Sequence, residues 1–275
     1  MGIVSDRVRV ISTCVIERLR HGLPTVEGPL DHEVLFILDG VGRFQFAPLI
    51  IRKVFRSLEA PMGTIVYDWQ FGLTGEIWTD LMWLRRNRLM AARLARQIVR
   101  FRRDHPTTSI HVFGYSGGAG VAVMACEHLR GRRLIDTLLL AAPALSPTYN
   151  LAPALGAVER CYALISPKDR WLLGTGTTIF GTIDRCCAPA AGMMGFRIPR
   201  ESSRRDRESY SRIQEVHWTP ELKRDGPSGG HIGWMSERFM RKHLLPLLSG
   251  KPLVEARPVA AEPTAPISVE PASQG

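Results

Sequence analysis

Ser109-Ile110-His111-Val112-Phe113-Gly114-Tyr115-Ser116-Gly117-Gly118-Ala119-Gly120-Val121-Ala122 decides how the rest of the chain is read. Its first half is rich in β-branched and aromatic residues, its second half in small residues, and Gly-x-Ser-x-Gly stands at the junction. A serine hydroxyl is a weak nucleophile. Presenting it to a base and an acyl group together calls for a sharp, strained strand-to-helix turn. Glycines two residues before and two after the serine remove the Cβ atoms that would collide where strand and helix cross. Gly117 begins the helix, so its backbone N–H and the helix dipole are predicted to face a developing oxyanion. A second match, Gly226-Pro227-Ser228-Gly229-Gly230, warns that the pattern alone is weak. It follows Glu221-Leu222-Lys223-Arg224-Asp225, which has no strand character, and a proline precedes its serine, so it reads as a loop.

Outward from Ser116, apolar runs alternate with amphipathic stretches. Val34–Leu38, Gly63–Trp69, Ile135–Ala141, Arg160–Ile165 and Ile213–Trp218 read as strands, most of them continuous enough to be buried on both faces. Helical spacing appears around Ile50, Val54 and Leu58, over 76–103, over 118–129 and over 232–248. The alternation predicts an α/β fold: a doubly wound, mostly parallel sheet of about six strands with helices on both faces. Three stretches divide the chain. Residues 1–32 form a lead-in with a helix over 6–20, capped by Ser5 and carrying Val8, Ile11, Val15 and Leu19 on one face. Residues 33–250 form the domain. Residues 251–275, rich in Pro, Ala and Glu, have too few large apolar groups to bury and are predicted to be a disordered tail.

Bulk properties narrow the function classes. The 275 residues carry a net charge of +10, which favours anionic ligands or surfaces but says nothing about fold. Five cysteines include no C-x-x-C pair and are odd in number, which suits a reducing compartment better than a disulfide framework. No signal-peptide pattern and no apolar run of membrane-spanning length is evident, so a cytoplasmic protein is expected. The loops Asp39-Gly40-Val41-Gly42-Arg43 and Gly174-Thr175-Gly176 miss the dinucleotide fingerprint at Gln45 and Ile179. Over 76–103, Met90, Leu94, Ile98 and Phe101 mark one face, and Arg86, Arg93, Arg96, Arg100 and Arg103 another. A solvated face is the plain reading, with room for a weak contact with an anionic membrane surface. No aromatic-interleaved basic platform appears, so no nucleic-acid partner is expected, and no metal or organic cofactor is implied.

Nucleophilic catalysis needs a base for the serine and a carboxylate for the base. In open parallel sheets such groups lie beyond the C-terminal ends of strands. Asp169, in Ser166-Pro167-Lys168-Asp169, follows one strand, although it also reads as a helix cap. Asp184 is the reserve acid, without a strand before it. His231 follows the last strand in a glycine-rich loop, whereas His111 and His217 fall within strands and His128 and His243 on helices.

The turn Gly114–Gly118, the strand-end Asp169 and the loop His231, in the chain order Ser…Asp…His, resemble the α/β-hydrolase superfamily over residues 33–248. The resemblance implies Ser116 as nucleophile, His231 as general base and then acid, and Asp169 as its orienting carboxylate. It implies an oxyanion hole from the backbone N–H groups of Gly117 and Val41, with Gly40 and Tyr115 at the substrate. It implies a carboxylic ester hydrolase, an esterase or lipase acting on a small-molecule or lipid ester through an acyl-enzyme. The same triad also serves acyltransferases and thioesterases, and the same fold serves non-catalytic interaction proteins. Asp39 stands where many members carry histidine; backbone donors do not need it, but a nearby carboxylate would disfavour anionic substrates. The family's two N-terminal strands are expected to be missing. Residues 170–200, with Trp171, Leu172, Leu173, Ile179, Phe180, Met193, Met194 and Phe196, read either as the wall of an acyl pocket or as the buried core of a crossover.

Overall fold

A computed structural model describes residues 25–57, 62–71, 77–251 and 256–261. The helix expected over residues 6–20 lies outside the described residues. Six strands run parallel: β2 (Glu33–Leu38), β3 (Gly63–Val66), β4 (Ser109–Tyr115), β5 (Ile135–Ala141), β6 (Val158–Ile165) and β8 (Ile213–His217). Two short antiparallel strands extend the sheet, β1 (Val26–Glu27) against β3 and β9 (Ala256–Pro258) against β8. The full order is β1-β3-β2-β4-β5-β6-β8-β9. A separate pair joins β7 (Arg197–Ile198) to β10 (Ala260–Ala261).

The parallel core is therefore the six-strand sheet that the alternation predicts, and the eight-strand total comes from its edges. Residues 256–261 correct the expectation of a disordered tail from 251 onward. Val259 is buried while Arg257, Pro258 and Ala260 are exposed, and the segment satisfies backbone groups along the β8 edge and beside β7. Likewise the lead-in is not without a strand: Val26–Glu27 closes the other edge with two residues, too few to leave a periodic signal.

Side chains alternate across β2 and divide the core in two. Val34, Phe36 and Leu38 face the helices Leu84–Asp104 and Gly117–His128, against Leu94, Ile98, Val121 and Met124. Leu35 and Ile37 face the other way, toward Ile51 and Val54 of the helix Phe46–Phe55 and toward Trp234 and Phe239 near the C-terminus. A strand covered on both sides has no polar face, which is why β2 reads as an unbroken apolar run. The stretch over 76–103 is two helices, Ile77–Met82 and Leu84–Asp104, broken at Trp83. Arg86 also leaves the expected solvated face, because its guanidinium donates to Gln70 O. Among the described residues, no helix is long and apolar enough to cross a membrane.

Candidate active site

Ser116 sits between β4 and the helix Gly117–His128 with φ 54° and ψ −120°, a left-handed conformation rarely held by a residue with a side chain. The neighbouring glycines make that turn possible. A Cβ on Gly118 would stand 2.3 Å from Asp39 O and 2.6 Å from Leu38 O. One on Gly114 would stand 2.6 Å from Ala119 Cα. The helix thus starts almost in contact with the end of β2, and any larger residue would push it away. Ser116 N donates to Ala141 O at 2.9 Å, tying the turn to the neighbouring strand as well.

His231 and Asp169 arrive from two other strand ends. His231 Nε2 lies 2.9 Å from Ser116 Oγ, and its Nδ1 lies 2.5 Å from Asp169 Oδ2. All three side chains are largely buried, with Ser116 only 6% exposed. The second oxygen of Asp169 accepts from Leu173 N at 3.4 Å, so the carboxylate also caps the π-helical turn Arg170–Gly176. One oxygen of the Asp169 carboxylate thus makes the helix cap and the other meets the imidazole of His231. The histidine loop is clamped from below. Trp218 Nε1 donates to Pro227 O, Ser166 Oγ donates to Gly229 O, and Gly229, at φ +85°, leaves no room for a Cβ between Lys168 and Trp218.

The other candidates are employed elsewhere. Asp184 accepts from Ser146 N, Ser146 Oγ and Thr182 Oγ1, which makes it a loop fastener rather than a reserve acid. Ser228 belongs to the loop packed on Gly233. His217 pairs with Glu215 Oε2 at 2.8 Å, and His243 with Asp225. His111 is buried with neither ring nitrogen hydrogen-bonded, and burial pushes its pKa down to about 4, so it is neutral. Among the described residues, no group of three or more His, Cys, Asp or Glu side chains is placed to hold a metal ion.

The loop after β2 lies over the elbow. A Cβ on Gly40 would be 3.4 Å from Ser116 Cβ, and one on Gly117 would be 2.8 Å from Val41 Cγ1. Gly40 and Val41 are therefore brought beside Gly117. Two side chains from the end of β3 hold this loop: Trp69 Nε1 donates to Asp39 O and Gln70 Nε2 to Gly40 O, each at 2.8 Å. Neither residue belongs to a sequence pattern; their position just past a strand end at the same edge of the sheet is the available signal. Asp39 does not present its carboxylate to the site. Its oxygens accept from Phe46 N and Ala47 N at the start of the helix Phe46–Phe55. Burial pushes its pKa up to about 6, against the pull of the backbone N–H groups of Ala47, Gly40, Phe46 and Gln45. Tyr115 is likewise turned inward. Its hydroxyl donates to His231 O at 3.3 Å and its ring lies beside the imidazole, centroids 5.2 Å apart, which places it behind the histidine.

A mostly parallel sheet with its serine on a positive-φ strand-to-helix turn, and with an aspartate and a histidine following from later strand ends, has the arrangement of the fold that the sequence resembles. The fold is the α/β-hydrolase fold. No protein-family model matches the chain, and no curated protein matches it. Solved structures similar to it include a cutinase-like protein from Cryptococcus sp., at 15% identity and a TM-score of 0.37, with 81% of this chain and 97% of that one covered. The LpqC poly(3-hydroxybutyrate) depolymerase from Bordetella parapertussis is 12% identical, with a TM-score of 0.44 and coverage of 82% and 81%. Est1E from Butyrivibrio proteoclasticus is 11% identical, with a TM-score of 0.42 and coverage of 84% and 91%. At this level of similarity the α/β-hydrolase assignment rests on the sheet order and the elbow themselves.

Proposed function

We propose that this α/β-hydrolase-fold chain is a serine hydrolase that cleaves carboxylic esters through an acyl-enzyme. The observation that carries the reading is the unbroken hydrogen-bonded line Asp169–His231–Ser116, ending on a serine held at φ 54°. Ser116 Oγ attacks the ester carbonyl while His231 Nε2 takes its proton. Asp169 holds Nδ1–H, which fixes the tautomer with a free Nε2 and stabilises the imidazolium that forms. The tetrahedral oxyanion is received by the N–H groups of Gly117 and Val41, the first also at the positive end of a helix. Collapse expels the alcohol, which takes the proton from His231. Water, deprotonated by the same nitrogen, then attacks the acyl-enzyme and frees Ser116 and the carboxylic acid. Gly40 lies beside the reacting carbonyl as part of the oxyanion loop, and Tyr115 serves as a positioning residue for His231. Ester, over amide or thioester, follows from the resemblance to α/β-hydrolases and is the finer part of the proposal. A cytoplasmic location is likewise proposed.

Labelling by a fluorophosphonate probe tests the mechanism. Wild type and Ser228→Ala should label equally and Ser116→Ala not at all; an unlabelled wild type, or labelling that survives Ser116→Ala, overturns it. A panel of esters of graded acyl length, with competing alcohols and matched thioesters, separates hydrolysis from acyl transfer and thioester cleavage.

A further inference from the structure

Among the described residues, five of the ten large apolar side chains left in solvent belong to the one stretch that follows Asp169. Trp171, Leu172, Ile179, Phe180 and Met194 are exposed on one stretch, Trp171 by 84% and Ile179 by 63%. This stretch begins directly after Asp169. Its inner side is already filled: Leu173 is buried, Leu173 O accepts from Ala190 N, and Met193 Sδ lies 3.1 Å from the place a Cβ on Gly174 would take. The outward residues therefore have no vacancy in the core to fill. A smaller exposed pair follows β3, where Phe71 and Trp83 meet edge to face at 5.7 Å with Arg86 over the Phe71 ring. Phe71 follows β3 and Trp171 follows β6, and parallel strands deliver all such loops to one edge of the sheet.

The charges of the stretch and of the turn that leads into it are one-sided. Lys168, Arg170 and Arg185 are exposed, while its two carboxylates are spent internally, Asp169 on His231 and Asp184 on Ser146 and Thr182. An apolar surface this concentrated marks a contact site, and a rim of cations fits it to an interface that is apolar inside and anionic outside. We propose that residues 170–194 dock on an anionic phospholipid surface, which brings the edge of the sheet that carries Ser116 toward that surface. The inference goes beyond ester hydrolysis and does not depend on it. A rival cationic surface exists: Arg96, Arg100, Arg103, Arg132 and His128 border a recess of about 390 Å³ floored by Ala92, Ala95 and Val99. It lies toward the C-terminal ends of the helices Leu84–Asp104 and Gly117–His128, away from the elbow, and adds charge without large exposed apolar groups.

The test is co-sedimentation of the full chain with phosphatidylcholine vesicles, alone or with roughly one third phosphatidylglycerol. Wild type should bind the mixed vesicles, more weakly as salt rises, and bind the neutral ones less. Trp171→Ser/Ile179→Ser should lower partitioning by about tenfold or more while leaving thermal unfolding unchanged, because both side chains are exposed. Arg96→Ser/Arg100→Ser should retain binding. Ser116→Ala should bind like wild type, so loss of the hydrolase reading and loss of docking are separable. The proposal is overturned if wild type does not bind, or if Trp171→Ser/Ile179→Ser binds undiminished. It is also overturned if only the arginine variant loses binding, or if the apolar variant merely converts a dimer to a monomer in sedimentation equilibrium without changing vesicle partitioning.

Discussion

The two sides of the serine are built in opposite ways. On one side the loop Asp39–Gly42 is pressed onto the elbow by buried contacts: Trp69 and Gln70 grip its carbonyls, Asp39 is capped against a helix, and Gly118 touches the end of β2. On the other side the stretch after Asp169 is made of short π-helical and α-helical turns that bury Leu173 and leave Trp171, Leu172, Ile179 and Phe180 in solvent. The first side tolerates almost no change in shape, as the proposed oxyanion hole requires. The second keeps a firm inner seam and leaves its outer surface in solvent. Fixity and exposure are thus divided between the two walls of one site.

The largest expected effects fall on the line that joins the walls. Ser116→Ala should abolish ester turnover, and Asp169→Asn should lower kcat by about 10⁴-fold with little loss of fold, measured by steady-state kinetics beside thermal unfolding. If Asp169→Asn retains wild-type kcat, the carboxylate acts as a helix cap alone. On the rigid wall, Gly118→Ala should destabilise the fold by about 3 kcal/mol, seen in urea denaturation, because its methyl group meets two backbone carbonyl oxygens.

Asp39 sharpens the contrast through pH. Its carboxyl titrates near 6 in the folded chain against 3.8 as a free side chain, so between those values the folded state holds more protons than the unfolded one. Its contribution is therefore most favourable below about pH 4 and is lost as pH rises through 6, by about 2–3 kcal/mol at most. The unfolding free energy of wild type relative to Asp39→Asn should fall by that amount across the window, and a flat difference would mean that the carboxylate is solvated. Gln70→Met removes a single hydrogen bond to Gly40 O and should cost about 1 kcal/mol, with kcat lowered more than KM is raised. The smallest effect belongs to the exposed wall: Ile179→Ser should leave kcat/KM for a short, water-soluble ester within about twofold, since most surface changes are nearly neutral. A large loss there would make the wall part of the acyl pocket.

What was legible in the sequence follows the same division. The elbow could be read because its chemistry is local: strand, serine and spaced glycines are contiguous, and each glycine proves to have a specific atom to avoid. The places of Asp169 and His231 could be read because a parallel sheet sends its loops to one edge. Asp39 could not, since nothing in Asp-Gly-Val-Gly tells which way the carboxylate turns until the helix at Phe46 is in place. The exposure of Trp171 and Ile179 was equally hidden, because apolar composition does not say whether the inner side of a segment is already full. β1 and β9, at two and three residues, are shorter than any periodicity can register.

Ser116 and its imidazole partner lie 115 residues apart in the chain, joined through a sheet whose order places β4, β5, β6 and β8 side by side. Contacts of such sequence separation form late in folding. A ribosome that has released the chain only as far as β8 has made the elbow and the carboxylate but not His231. The nascent polypeptide carries no assembled hydroxyl–imidazole pair, and on the proposed mechanism reactivity toward a serine-directed probe becomes a timestamp for the completed parallel core.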